Sequence, residues 1–304
     1  ANPGSAEAQR DVSVSLNKLG DVQVAAGDLA AALKSFEDSH QIVTRLAATN
    51  PSSAQAQRDV SVSLNRLGDV QVAAGDLAAA RKSFADSHQI LTRLAAANPG
   101  STQAQRDVSV SLNKLGDVQV AAGDLAAARK SFEDSLQIAR RLAAANPASA
   151  EAQRDVSVSL NRLGAVQTAA GELAAARKSF EEDLQIAHRL AAANPGSAEA
   201  QRDVSVSLNK LGDVQVAAGD LVAARTSFED SLQIARRLAA ANPGSAEAQR
   251  DVAASLWRLA QLPGGGVRWR EVADVLNTMD ARGLLAPADA GFAAEARRRA
   301  AEEK

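Results

Sequence analysis

The string Gln-Arg-Asp-Val begins at Gln9, Gln57, Gln105, Gln153, Gln201 and Gln249, a spacing of 48 residues with no drift. A period of this size marks a solenoid, in which each unit is one supersecondary element buried against its neighbours. Such a chain need not divide into globular domains by length, because each unit contacts only the next. Catalysis needs a few unique residues converging on one point, and this sequence consists mostly of copies.

One unit reads as two long helices. Ser5 is placed to N-cap the first, and Glu7 in its first turn suits the positive end of the helix dipole. Val12, Leu16, Leu19 and Val22 recur near the helical period and form its expected core face. Gly27 predicts a left-handed stop, and Asp28 caps the next helix at once. That helix carries Leu29, Ala32, Phe36, Ile42 and Leu46 on its expected buried face. Asn50-Pro51 closes the unit, since proline disfavours helical conformation in the residue before it. The short connection makes the two helices antiparallel neighbours, and no strand-like alternation persists. The expected fold is all-α.

Leu16, Leu19, Gly20, Ala32 and Phe36, with Ser39 at a position favouring a small residue, resemble the tetratricopeptide-repeat (TPR) signature. The resemblance implies a helix-turn-helix solenoid wound as a right-handed superhelix. Two departures stand out: Gln23 replaces the family's tyrosine, and the unit has 48 residues where the family has about 34. The surplus is about four helical turns, roughly two per helix. The extended unit, with its Leu16-Asn17-Lys18-Leu19 run, is similar to the long repeats of kinesin light chains and related bacterial proteins.

The resulting organisation is five tandem repeats over residues 1–242 (about 3–50, 51–98, 99–146, 147–194 and 195–242) and the first helix of a partial sixth over 243–262. A C-terminal helical cap follows over 263–304. The break comes at Leu262-Pro263-Gly264-Gly265-Gly266, after which two helices are expected, Arg268 to about Ala281 and Ala288 to about Ala300. Trp269, Val272, Val275, Leu276 and Leu285 give them an apolar face. Glu295, Arg297, Arg298, Arg299, Glu302 and Glu303 give a solvated exterior of the kind that ends a stack. The glycine triplet lacks the Lys-Ser or Lys-Thr of a phosphate loop. Ala1-Asn2-Pro3-Gly4-Ser5 repeats the linkers Asn98-Pro99-Gly100-Ser101 and Asn194-Pro195-Gly196-Ser197, so the chain reads as a fragment cut at a repeat boundary.

Chemistry is sparse. His40 and His88 occupy the same phase of adjacent units, too far apart to share a metal ion, and Leu136, Leu184 and Leu232 replace them later. His188 stands alone. No nucleophile has a general base beside it, and no catalytic residue, metal or cofactor is expected. The net charge of −2 gives no basic footprint for nucleic acid. No run is long and apolar enough for a membrane span. A cytoplasmic location is expected.

Opposite Leu16 and Leu19 the first helix carries a second stripe: Val14, Asn17, Lys18, Asp21, Val24 and Ala25. Stacking aligns Asn17, Asn65, Asn113, Asn161 and Asn209 as a ladder. Beside it run Lys18, Arg66, Lys114, Arg162 and Lys210, then Asp21, Asp69, Asp117 and Asp213. Each asparagine offers a donor and an acceptor that match a peptide group. By resemblance to kinesin-light-chain-like and peptide-sensing repeats, the stripe lines a concave face that takes a peptide or partner helix, making the chain a protein-interaction module. The same residues also suit a structural role, with Lys18–Asp21 as an ion pair three residues apart and the asparagines setting the stacking. Unit four departs from the stripe at Ala165 and Thr168. Two rival roles stay open: self-assembly or spacing, through an apolar N-terminal repeat that nothing caps, and a sensor arm of an upstream enzyme or nucleotide-dependent switch.

Overall fold

The computed structural model describes residues 5–264 and 266–303. The linker-like start at Ala1-Asn2-Pro3-Gly4 and the centre of the glycine triplet, Gly265, lie outside them. Among the described residues there are thirteen α-helices, one short 3-10 turn and no strand. They fall into two compact units, residues 1–162 and 163–304.

The first unit contains α1 (Ala6–Ala25), α2 (Leu29–Thr49), α3 (Ala54–Ala73), α4 (Leu77–Ala97), α5 (Thr102–Ala121), α6 (Leu125–Ala145) and the start of α7 (Ala150–Ala169). The capping chemistry is as the sequence predicts. Ser5 accepts from the Ala8 N–H, Asp28 from the Ala31 N–H, and Gly27 stands at φ +80° between the helices. The close approach of α1 and α2 rests on Gly20. A Cβ there would come within 2.5 Å of the Phe36 ring, and Gly68 faces Phe84 in the same way. Deeper in each pair the hydroxyl of the second helix reaches the first helix's backbone, as in Ser39 Oγ to Ser13 O at 3.0 Å. Gln23, standing where the family has tyrosine, accepts a hydrogen bond from Ser35 Oγ at 2.8 Å. A polar clasp near the turn thus replaces an aromatic wedge, and it recurs at Ser83–Gln71 and Ser131–Gln119.

Two features of the expected core differ. Val12, Leu19 and Val22 of α1 are exposed, Val22 at 66%, whereas Val60, Leu67 and Val70 are buried, Val70 at 2%. This stripe faces the preceding repeat: Leu67 and Val70 pack on Ala32 and Phe36, and Val60 and Leu64 on Val43 and Ala47. On the second helix the deepest positions are Ala32, Phe36, Ser39, Val43 and Ala47, with Ile42 and Leu46 only half-buried. The stripe is turned because α2 lies between α1 and α3 and must bury two flanks.

The second unit contains the rest of α7, then α8 (Leu173–Ala193), α9 (Ala198–Ala217), α10 (Leu221–Ala241), α11 (Ala246–Gln261), α12 (Trp269–Ala281) and α13 (Ala290–Glu302). The same contacts recur, with Phe180 against Gly164 and Phe228 against Gly212. Glu172 replaces the capping aspartate before α8 and makes no side-chain cap. α12 packs on α11 and α13 on α12. Asp289 accepts from Arg250 at 2.6 Å, the part that Asp251 plays for Arg202. α13 therefore takes the station of a further first helix, with Ala293 and Ala296 buried and Arg297 and Arg298 exposed. Glu303, expected on a purely solvated face, instead accepts from the backbone N–H of Trp269 at 2.8 Å.

Candidate functional site

The first-helix stripe is real as a surface and subdivided in its chemistry. Val14, Val62, Val110 and Val158 are all exposed, as are Val24, Val72, Val120 and Val216. Between these rows stand the ladder residues. Lys18 and Asp21 do not pair with each other. Asp21 pairs with Arg66 of the next repeat, Asp69 with Lys114 at 2.5 Å, Asp117 with Arg162 at 2.9 Å and Asp213 with Arg258 at 2.8 Å. The partners lie 45 residues apart in sequence, on the first helices of successive repeats. A second ladder runs beside it with opposite polarity: Arg10–Asp59, Arg58–Asp107, Arg106–Asp155 and Arg202–Asp251. Each is a partly exposed pair of the kind that contributes about 0–1 kcal/mol. Within each unit they link the first helix of one repeat to the first helix of the next.

The asparagines divide. Asn209 donates through Nδ2 to Ser255 Oγ at 3.2 Å and so ties α9 to α11. Asn17, Asn65 and Asn113 have a buried Oδ1 that no protein group meets. An unmet buried acceptor costs about 1–3 kcal/mol. Asn113 lies with Val110, Lys114, Val158 and Arg162 around a cleft of about 100 Å³. Trp257 stands at the next asparagine position after Asn209. It meets Trp269 edge-on at 4.7 Å between ring centroids and Phe292 at 4.2 Å, with the Arg299 guanidinium over both indoles. Lys210 has no carboxylate partner among the described residues, because Ala165 occupies the position of the expected aspartate.

His40 and His88 are structural neighbours of serine. Their Nδ1 atoms lie 2.8 Å from Ser63 Oγ and 2.9 Å from Ser111 Oγ. Burial pushes both imidazoles below their usual pKa, partly offset by Asp86 and Asp134. Sequence reading missed Asp183, a buried carboxylate where other repeats carry Ser39, Ser87, Ser135 and Ser231; its Oδ2 accepts from Ser207 Oγ at 2.8 Å. The signal was a departure from the repeat, Glu182-Asp183 in place of Asp-Ser. Among the described residues no group of acidic or histidine side chains is placed to hold a metal, and no helix is long and apolar enough to cross a membrane.

Residues 15–88 match the tetratricopeptide-repeat family. The fold is that of a TPR solenoid. BtubC (BKLC) from P. vanneervenii superimposes with a TM-score of 0.61 at 16% identity, over 83% of this chain and 92% of its own. A putative kinesin light chain of Podosopora anserina, with nearly identical TPR-like repeats, gives 0.56 at 18% identity over 74% and 95%. The S. pombe nuclear import adaptor Nro1 gives 0.54 at 12% identity over 96% and 99%. No curated protein sequence is significantly similar to this one. The TPR match and these neighbours support a general protein-interaction role.

Proposed function

We propose that the first-helix stripe binds an extended peptide or a helix of a partner protein. The observation that carries the reading is the pair of exposed valine rows in the first unit, Val14, Val62, Val110 and Val158 on one side and Val24, Val72 and Val120 on the other, with Asn17, Asn65 and Asn113 between them. Aliphatic rows supply area, and each asparagine Nδ2 supplies a donor for a peptide carbonyl, its Oδ1 being turned inward. The paired cations and aspartates hold the rungs in register; Asn, with the valines, makes the contact. Lys18 and Lys210 remain to attract acidic side chains of the ligand. Residues 263–304 are read as the closing cap, because α13 fills the station of another first helix and its exposed Arg297 and Arg298 are engaged in ion pairs with Asp280, Glu295 and Glu302.

Pull-down from host lysate, with this chain beside its Asn65→Ala/Asn113→Ala/Asn161→Ala version, tests the reading. A partner lost by a variant of unchanged helicity supports it. Equal capture rejects the stripe as the binding face.

A further inference from the structure

Asn17, Asn65 and Asn113 stand one to each first helix of the first unit, between its valine rows. In all three the Oδ1 is buried without a partner, which turns Nδ2 towards the groove. Asn113 is only 7% exposed and lines the cleft of about 100 Å³ that has Val110 and Val158 among its walls. Each rung therefore offers a hydrogen-bond donor and no acceptor. The aspartates beside them are already engaged, Asp21 by Arg66, Asp69 by Lys114 and Asp117 by Arg162. These ion pairs join successive first helices, and α1 is in contact with α3. At ordinary packing distance the rungs stand about 10 Å apart.

Taking the stripe as the binding face, we propose that its occupant is a proline-rich segment of a partner protein in the polyproline II conformation. A ligand lying across the first helices must present a free acceptor on one side at the rung interval. A β-strand returns to the same side every two residues, about 7 Å, or every four, about 13 Å, and misses it. An α-helix returns after seven residues, about 10.5 Å, but its carbonyls are spent on its own hydrogen bonds. Polyproline II returns after three residues, about 9 Å, and makes no internal hydrogen bonds, so every third carbonyl is free to accept from Asn17, Asn65 and Asn113 in turn. Proline also has no N–H, and so leaves no donor unmet against a floor whose acceptors are engaged. Its aliphatic ring suits the exposed Val14, Val62, Val110 and Val158, and its preformed backbone loses little freedom on binding.

Fluorescence anisotropy of the 304-residue chain with labelled oligoprolines of about six, nine and twelve residues tests this. An alanine-rich helical peptide and an alternating threonine-valine peptide serve as the other two conformations. Affinity for oligoproline should rise with each added three residues. Asn65→Ala and Asn113→Ala should each weaken the longest oligoproline about 3- to 10-fold. Val62→Ser, at an exposed position, should also weaken it while keeping parental helicity, so the test survives if an asparagine variant misfolds. Failure of oligoproline to bind, or binding that all three variants leave unchanged, would overturn the proposal. If the helical or strand peptide binds instead and loses affinity in the same variants, the stripe stands as a binding face and the proline-rich occupant is rejected.

Discussion

Helices α1 and α5 carry the same residues from 9–25 and 105–121, and they live in different surroundings. Val12 is 51% exposed and its counterpart Val108 is 7%; Val22 is 66% exposed and Val118 is 1%. Within the pair, however, the glycine–ring contact is the same: Gly20 meets Phe36 as Gly116 meets Phe132. The contrast separates two kinds of interface that sequence alone treats as one. Contacts inside a repeat are carried by the repeat itself, whereas contacts between repeats exist only where a neighbour is present.

The largest expected effect comes from breaking a covered position and its uncovered twin together. Leu67→Ala should cost about 2–5 kcal/mol, while Leu19→Ala at the open face should cost under about 1 kcal/mol. Urea unfolding at low protein concentration compares them, and equal costs would mean that α1 is covered in solution. Next in size, Gly20→Ala and Gly68→Ala should destabilise by similar amounts, about 1–3 kcal/mol, because both push on a phenylalanine of their own repeat. A large difference between them, read by the same method, would deny that the intra-repeat contact is independent of position.

Smaller effects sharpen the register ladders. Ala165→Asp should give Lys210 the partner that its counterparts have and raise stability by a few tenths of a kcal/mol. The gain should fade in high salt; a gain indifferent to salt would point to another cause. The histidines give the last test. Their pKa is depressed on folding, so the folded chain favours the neutral ring. Stability contributed in this way is complete above the unfolded value of 6.5 and falls as the pH drops below it towards the folded value. His88→Leu should flatten thermal stability between pH 7 and pH 5 relative to the parent. Leu136 at the same station is buried and accepts this environment without titrating.

Much of the fold was legible because its determinants are local. Ser5, Gly27 and Asp28 mark helix ends through backbone groups a few residues away, and these were read directly. The partners of the ladder were not, since Asp21 and Lys18 are near in sequence while Asp21 and Arg66 are near in space. Gln23 is unremarkable as a letter and acquires its part only when α2 brings Ser35 beside it. Asp183 shows the same limit, because one changed residue in a repeat does not reveal whether it faces water or core.

The sequence by itself determined the two-helix unit, its caps and its 48-residue period, since helix periodicity and turn chemistry act within a few residues. Tertiary structure alone decided which copy of an identical stripe is core and which is surface. It also decided which aspartate each arginine takes and which asparagine is satisfied. Those outcomes depend on a neighbouring helix, and burial and ion pairing are properties of two surfaces in contact.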